Sequence, residues 1–134
     1  MNYMLDTNII IYAKNRRPVS VIERLLQQKP EDLCISAITL AELEFGAAKS
    51  SNPARNRMAL TLFLSGMQVI PFDNRAAQEY GDIRYDLSRR GVVIGGNDML
   101  IAAQARSLGL TLVTNNTREF ERIAGLKLEN WIEP

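Results

Sequence analysis

Three acidic side chains occupy positions at which carboxylate chemistry is expected. Asp6 follows an apolar segment near the N-terminus, Glu42 lies in an apolar helical segment, and Asp98 follows two glycines. The chain has no histidine and one cysteine, Cys34, which excludes a Ser-His-Asp triad, a Cys-His pair and the common imidazole-based zinc sites. Acid-base work must therefore fall to carboxylates, lysine, tyrosine or metal-bound water.

Asp6 and Asp98 each have a structural explanation as well. Asp6 precedes a predicted helix and would serve as its N-cap, which is worth about 1 kcal/mol. Asp98 begins a predicted helix after Gly95-Gly96 and would offset the positive end of its dipole by about 0.3–1 kcal/mol. Capping and catalysis are compatible, so the position of these residues alone does not separate the two roles.

Glu42 is harder to explain structurally. Its neighbours at helical spacing are Ile38 and Phe45, so its carboxylate projects into an apolar stripe. A buried carboxylate costs several kcal/mol unless it is hydrogen-bonded, paired or bound to metal. Glu44 lies on the same helical wheel, and periodicity does not choose between the two glutamates.

If Asp6, Glu42 and Asp98 converge, their charges need compensation. Two like charges about 4 Å apart repel by roughly 4 kcal/mol at an effective dielectric constant of 20. Such a cluster needs a cation or a proton, and an all-oxygen site suits Mg²⁺ or Mn²⁺. A water polarised by such a metal would supply a nucleophile at neutral pH, as in metal-dependent phosphodiester hydrolysis.

The elements that must position these acids alternate along the chain, which predicts one α/β domain over residues 1–134 with a mostly parallel sheet of about four or five strands. In the helix predicted for residues 74–90, we expect Ala77, Tyr80, Ile83 and Leu87 to form the buried stripe. The predicted strands are 2–5, 33–35, 69–72, 110–113 and 126–131. Further helices are predicted from Ile9, from Pro18, and over 37–49, 53–64, 97–108 and 117–123.

Composition also bears on partners and compartment. The formal net charge of +1 gives no whole-molecule attraction to nucleic acid, although it allows a local basic patch. No apolar segment is long enough to span a bilayer, and the N-terminus lacks the features of a signal peptide. These features, together with the single cysteine, predict a cytoplasmic protein.

Three segments carry a family resemblance: MLDTNIIIY, ITLAELEFGA and GNDMLIAAQARSLGLTLVTNNTREFERIAGLKLENW. In this order they resemble PIN-domain ribonucleases of the VapC toxin group, and most nearly the enterobacterial type. Each motif alone is weak, but the ordered set is specific and covers nearly the whole chain. The resemblance implies an α/β/α sandwich and an endoribonuclease toxin that needs Mg²⁺ or Mn²⁺.

The resemblance also assigns roles to residues. It implies that Asp6, Glu42 and Asp98 are catalytic metal ligands, which favours Glu42 over Glu44. Asn116 stands at the fourth acidic position of the family, where an amide would orient a metal-bound water but adds no charge, so that a second metal depends on RNA phosphate. Thr7, Asn8 and Thr114 would hydrogen-bond the acids or a phosphate oxygen. Glu119 would compensate for the charge that Asn116 lacks, but it is also explained as a surface residue of the short helix. Candidates for RNA contact are Arg84, Arg89, Arg90, Arg118 and Arg122.

Partners follow from the same resemblance. It implies a VapB-like antitoxin whose C-terminal segment lies in a groove and places a basic residue among the acids, as well as a homodimer and a larger complex with the antitoxin. Apolar residues of segments 9–12 and 53–64 are expected to provide such surfaces. The implied substrate is tRNA, with the anticodon region of initiator tRNA as a hypothesis, and cleavage would inhibit translation and growth.

Two alternatives remain open from the residues. A PIN-fold binding module with weak catalysis would account for the missing fourth acid. A phosphohydrolase of the haloacid-dehalogenase type would use Asp6 as its nucleophile, but that family expects an Asp-x-Asp pair and Asn8 occupies the second place.

Overall fold

Five short apolar segments pair as parallel strands in the computed structural model, which describes residues 1–132. Every strand pair is parallel, and the strand order is β3-β2-β1-β4-β5, which confirms the predicted sheet. The strands are β1 (Tyr3–Leu5), β2 (Leu33–Ser36), β3 (Gln68–Ile70), β4 (Thr111–Val113) and β5 (Lys127–Glu129).

Helices connect the strands and cover both faces of the sheet. They are α1 (Thr7–Asn15), α2 (Val19–Leu26), α3 (Ala37–Ala48), α4 (Pro53–Leu64), α5 (Asn74–Arg89), α6 (Gly96–Leu108) and α7 (Thr117–Phe120), with a short 3₁₀ turn at Pro30–Asp32. Asp6, Ser36, Asn52 and Asp73 cap the N-termini of α1, α3, α4 and α5 with side-chain hydrogen bonds. The α4 bounds match the prediction, whereas most other bounds differ by one or two residues.

The sheet separates two apolar cores. On one face, α5 and α6 pack against Met4 and Leu112, with Phe120 of α7 fully buried among them. On the other face, α1 to α4 pack against Leu5 and Val113, and the buried Trp131 belongs to this core. The architecture is therefore the α/β/α sandwich that the sequence predicted.

The strand order creates a switch point beside β1. From β1 the chain first builds outward through β2 and β3, and β4 then returns to pair with the opposite edge of β1. Ligands of open parallel sheets bind beyond the carboxyl ends of the strands at such a point. Asp6 stands there, because its backbone N–H donates to the Val113 carbonyl oxygen at 3.0 Å directly after β1.

The structure corrects several details. Ala77 is exposed and Ala76 takes its place on the buried stripe, whereas Ile83 and Leu87 are buried and Tyr80 packs against the core as predicted. The last strand is only three residues long, and α7 ends at Phe120 rather than at residue 123. Phe72 is not part of β3, because the neighbouring strand β2 ends at Ser36, which pairs with Ile70.

Apolar surface is distributed differently from the prediction as well. Ile9 and Ile10 are fully buried, so the exposed apolar surface of α1 comes mainly from Ile11, which is 41% exposed. On α4, Met58 and Leu62 are both 68% exposed, as expected for that helix. Among the residues that the structure describes, no helix has the length and apolarity to cross a membrane.

Candidate active site

Asp6 is buried at the carboxyl end of β1 and has two roles there. One carboxylate oxygen accepts from the Ile9 backbone N–H at 3.0 Å and caps α1, while the other accepts from the Thr114 hydroxyl at 2.5 Å. Burial raises the pKa of Asp6 more than these hydrogen bonds lower it, and the nearby charge of Glu42 raises it further. The backbone N–H of Asn8 also bonds to Asp6, but the Asn8 side chain is exposed.

Glu42 lies in the second turn of α3 and faces the other helices that begin at this edge. Its carboxylate accepts from the Thr7 hydroxyl at 2.5 Å and from the Asn97 side-chain amide at 3.4 Å. Glu44 is exposed and makes no side-chain hydrogen bond or ion pair within residues 1–132. Phe45, an apolar neighbour of Glu42 on α3, is 65% exposed, so the apolar stripe beside Glu42 is not buried. The cost of desolvating the Glu42 carboxylate is therefore smaller than the sequence suggested.

Asp98 is half-buried in the first turn of α6, after Gly95. Burial, followed by the charges of Glu119, Asp6 and Glu42, raises the pKa of Asp98 to about 6. No side-chain hydrogen bond within residues 1–132 offsets these effects. The dipole of α6 favours the ionised form, but the three other carboxylates oppose it.

Glu119 joins this group from the short helix α7. Its carboxylate accepts from the Gly95 backbone N–H at 3.0 Å and from the Asn116 side-chain amide at 2.7 Å. The Asn116 backbone N–H in turn donates to the Thr114 hydroxyl at 2.9 Å, which links Glu119 to the hydroxyl that bonds Asp6. The spacing of three residues between Asn116 and Glu119 is the sequence signal for this contact, because it places both on one side of a helical turn.

We call Asp6, Glu42, Asp98 and Glu119 the acid cluster. None of these carboxylates forms an ion pair within residues 1–132, where the ion pairs involve Glu129, Asp86 and Glu79. As the side chains stand, no three acidic or cysteine side chains in this part of the chain are arranged to hold a metal ion. The cluster is thus several like charges that influence one another and lack a counter-charge.

The predicted RNA-contact arginines fall into two groups. Arg89 and Arg90 are paired with Asp86, at 3.9 and 2.8 Å respectively. Arg84, Arg118 and Arg122 form no ion pair in the described part of the chain. Arg118 and Arg122 line a cavity together with Asn116 and Glu119, so they lie beside the acid cluster.

A groove opens on the other side of the cluster. It has a volume of about 550 Å³ and exposes Glu42 together with apolar side chains of α1 and α3. Lys49 lies at its far end, with its amine 5.1 Å from the centre of the Phe45 ring. The residues that define this apolar groove are Thr7, Ile11, Ile38, Ala41, Glu42, Phe45, Gly46, Lys49 and Asn97.

Sequence reasoning missed Gln104, a polar side chain of α6 that is only 1% exposed. Its amide nitrogen donates to the carbonyl groups of Ile70 and Pro71, each at 3.0 Å, and its amide oxygen accepts from the Ser36 hydroxyl. Ser36 also caps α3, the helix of Glu42. We call these groups the glutamine network; its only sequence signal is a glutamine among the alanines of an apolar helix face.

Comparison with known proteins gives a consistent family. Residues 3–126 match the PIN domain family. Over 132 residues, the chain is 47% identical to Ribonuclease VapC2 of Haemophilus influenzae, covering 98% of this chain and 99% of the relative. It is also 47% identical over 131 residues to the tRNA(fMet)-specific endonuclease VapC of Shigella flexneri, covering 98% of each.

A solved structure shares the whole fold. The chain resembles one in the crystal structure of DNA-bound VapBC from Salmonella typhimurium, with a TM-score of 0.92 and 44% identity over 98% of both chains.

Proposed function

The chain belongs to the PIN-domain family of VapC ribonucleases, and on that premise we propose that its acid cluster is a divalent-metal site for RNA hydrolysis. The observation that carries this proposal is the set of unpaired carboxylates at the switch point of the sheet. Asp6, Glu42, Asp98 and Glu119 come from four different elements, and no cation of residues 1–132 neutralises any of them.

The donor set fits Mg²⁺ or Mn²⁺. All the candidate ligands are carboxylate oxygens, which hard divalent cations prefer, and the pKa of Asp98 is raised by burial and then by neighbouring negative charges that such a cation would offset. We propose Asp6, Glu42 and Asp98 as ligands, with Glu119 supplying the negative charge that Asn116 lacks. When bound, the metal would supply a polarised water at neutral pH and would stabilise charge on the phosphate oxygens.

The surrounding hydroxyl and amide groups hold the carboxylates in place. The Thr114 hydroxyl fixes Asp6, the Thr7 hydroxyl fixes Glu42, and the Asn116 amide fixes Glu119. Each of these groups donates to a carboxylate oxygen and so fixes the orientation of the side chain. Asp98 has no such donor within residues 1–132, and a proton competes with the cation there as the pH approaches 6.

Substrate and partner follow from the relatives. Because the Shigella relative is named for tRNA(fMet), we propose tRNA as the substrate, with the anticodon region of initiator tRNA as the first site to test. The Salmonella relative forms a VapBC complex, and we propose that the antitoxin of this chain covers the apolar groove. A basic side chain of the antitoxin at Glu42 would offset the same repulsion as the metal and would inhibit the enzyme.

The test is RNA cleavage by purified, antitoxin-free protein. Incubation with total RNA and Mg²⁺ or Mn²⁺, followed by mapping of the new ends, should give discrete cuts that EDTA abolishes. Glu42→Gln should reduce cleavage by roughly 10²–10⁴-fold, because the substitution removes the charge of a proposed metal ligand.

Glu44→Gln is the matched control, because it makes the same change two residues away on an exposed side chain. It should cleave like the unmodified protein. Equal cleavage by the two variants would reject Glu42 as a member of the site. Full cleavage in EDTA would reject the metal.

A further inference from the structure

Two cavities meet beside the acid cluster, on the side away from the apolar groove. The first, of about 240 Å³, is lined by Val93, Asn116, Arg118, Glu119 and Arg122. The second, of about 260 Å³, shares Val93 with the first and continues toward the C-terminal half of α5. We call the two together the arginine groove; one of its ends is the carboxylate of Glu119.

The charge of this groove differs from that of the surrounding surface. Arg84 in the second cavity and Arg118 and Arg122 in the first have no acidic partner within residues 1–132. The neighbouring Arg89 and Arg90 share the single carboxylate of Asp86, which offsets one of their two charges. Unpaired guanidinium groups suit the oxygens of phosphate, with which they form paired hydrogen bonds.

The second cavity also has an apolar wall. Val92 and Met99, which are partly exposed, line it together with the nearly buried Leu87 and Ile94. At the junction of the two cavities, Val93 is 86% exposed, an unusual state for a valine between charged side chains. Such a wall suits the face of an unpaired base, whereas the bases of a duplex are stacked and present mainly backbone.

From this arrangement we propose that the arginine groove binds the single-stranded RNA that flanks the scissile phosphate on one side. Arg118 and Arg122 contact the phosphates next to the acid cluster, Arg84 contacts a phosphate farther along, and a base packs against Val93 and the apolar wall. The inference rests on the proposed ribonuclease function. It places the RNA on the side of the acid cluster opposite the apolar groove. Among the residues that the structure describes, Lys49 is the only cation that lines the apolar groove.

The test is binding of a labelled single-stranded RNA oligonucleotide in EDTA, measured by fluorescence anisotropy over a series of salt concentrations. Arg118→Gln/Arg122→Gln should weaken binding roughly tenfold or more, because each arginine provides a charged hydrogen bond. For single strands, log K falls with log salt at about 0.7 per phosphate contact, so the slope should become shallower by about 1.4.

The matched control is Arg75→Gln/Lys127→Gln, which also removes two exposed positive charges. Arg75 contacts the Ser107 carbonyl group and Lys127 contacts the Gly109 carbonyl group, both near the end of α6 opposite Asp98. Ser107 lies about 14 Å from Asp98 along the helix axis. This control should keep the affinity and salt slope of the unmodified protein, and equal slopes for both double variants would overturn the proposal.

A second pair of variants tests the apolar part without removing an arginine. Val93→Ser should weaken RNA binding, whereas Val19→Ser, at an exposed valine of α2, should not. Cleavage with Mn²⁺ separates this proposal from the proposed function. If the unmodified protein does not cleave RNA, the function fails; if it cleaves and the groove variants show an unchanged KM, only the groove assignment fails.

Discussion

Helix α6 carries two polar clusters with opposite properties. Gln104 lies about 9 Å along the helix axis from Asp98. In the glutamine network, every buried donor and acceptor has a partner, and within residues 1–132 no buried side-chain polar atom is unpaired. In the acid cluster, four carboxylates lie near one another, and none pairs with a cation of the part of the chain that the structure describes. A satisfied polar network holds helices in place, whereas unbalanced charge marks a site for a ligand.

The largest expected effect comes from Asp98→Asn. Cleavage should fall by roughly 10²–10⁴-fold, because one carboxylate of the site becomes neutral. The metal-free variant should nevertheless be more stable at pH 7.5, because the repulsion among Asp98, Glu119, Asp6 and Glu42 decreases. Urea unfolding and an RNA cleavage assay measure the two effects. Asp82→Asn, at an exposed acid of α5, is the control, and a less stable Asp98→Asn would contradict the comparison.

Gln104→Leu should lower the stability of the fold with little effect on cleavage, the reverse of Asp98→Asn. It removes the donor to the part-buried Ile70 and Pro71 carbonyl groups and the acceptor of the buried Ser36 hydroxyl, which should cost about 2–3 kcal/mol of unfolding free energy. Cleavage per folded molecule should change much less than in Asp98→Asn. Gln78→Leu on the exposed face of α5 is the control in urea unfolding. Equal stability of the two leucine variants would show that the network does not stabilise the fold.

Asn116→Asp should add a further negative charge to the acid cluster. The Asn116 amide donates to Glu119 at 2.7 Å, and an aspartate would replace this hydrogen bond by a repulsion. We expect a loss of about 1 kcal/mol without metal and a larger stabilisation by Mn²⁺ than in the unmodified protein. Thermal unfolding with and without Mn²⁺ measures both. Asn115→Asp, at the exposed neighbouring position, should respond less, and an identical response would argue against a special role of Asn116.

The smallest effect is a pH dependence of stability. The pKa of Asp98 is about 6 in the folded protein against 3.8 for the free side chain. Between these values the folded state binds more protons than the unfolded state, so stability falls as the pH rises through this window and stays lower above it. Without metal, the Tm of the unmodified protein should therefore fall by roughly 2–4 °C more than that of Asp98→Asn between pH 5 and 7.5. Parallel curves would contradict the shift.

Much of the fold was predictable because it rests on local patterns. The strands are short apolar segments between capped helices, and Pro53 with the Asn52 cap sets the start of α4 correctly. Only the first residue of the buried stripe of α5 was wrong, because Ala76 and Ala77 are equivalent by hydropathy and only packing distinguishes them. The alternation of strands and helices predicts a parallel sheet, but it does not predict which strand pairs with which.

The site was predictable in part. Asp6, Glu42 and Asp98 follow from position and family motif, but their interaction depends on helices that meet only in three dimensions. Glu119 looked like a surface residue, because the Gly95 backbone N–H that bonds its carboxylate lies 24 residues away in the chain. Gln104 was missed for the same reason, since its partners are on β2 and after β3.

The hydrogen bond between Thr114 and Asp6 joins residues that are 108 positions apart. Strand β1 is made first during translation, yet one of its two edges stays open until β4 leaves the ribosome, and α7 with Glu119 follows later still. Closing so long a loop comes late in folding. The acid cluster therefore cannot be completed on a nascent chain that lacks its last segment. Any chemistry that needs all four carboxylates begins only when synthesis is nearly finished.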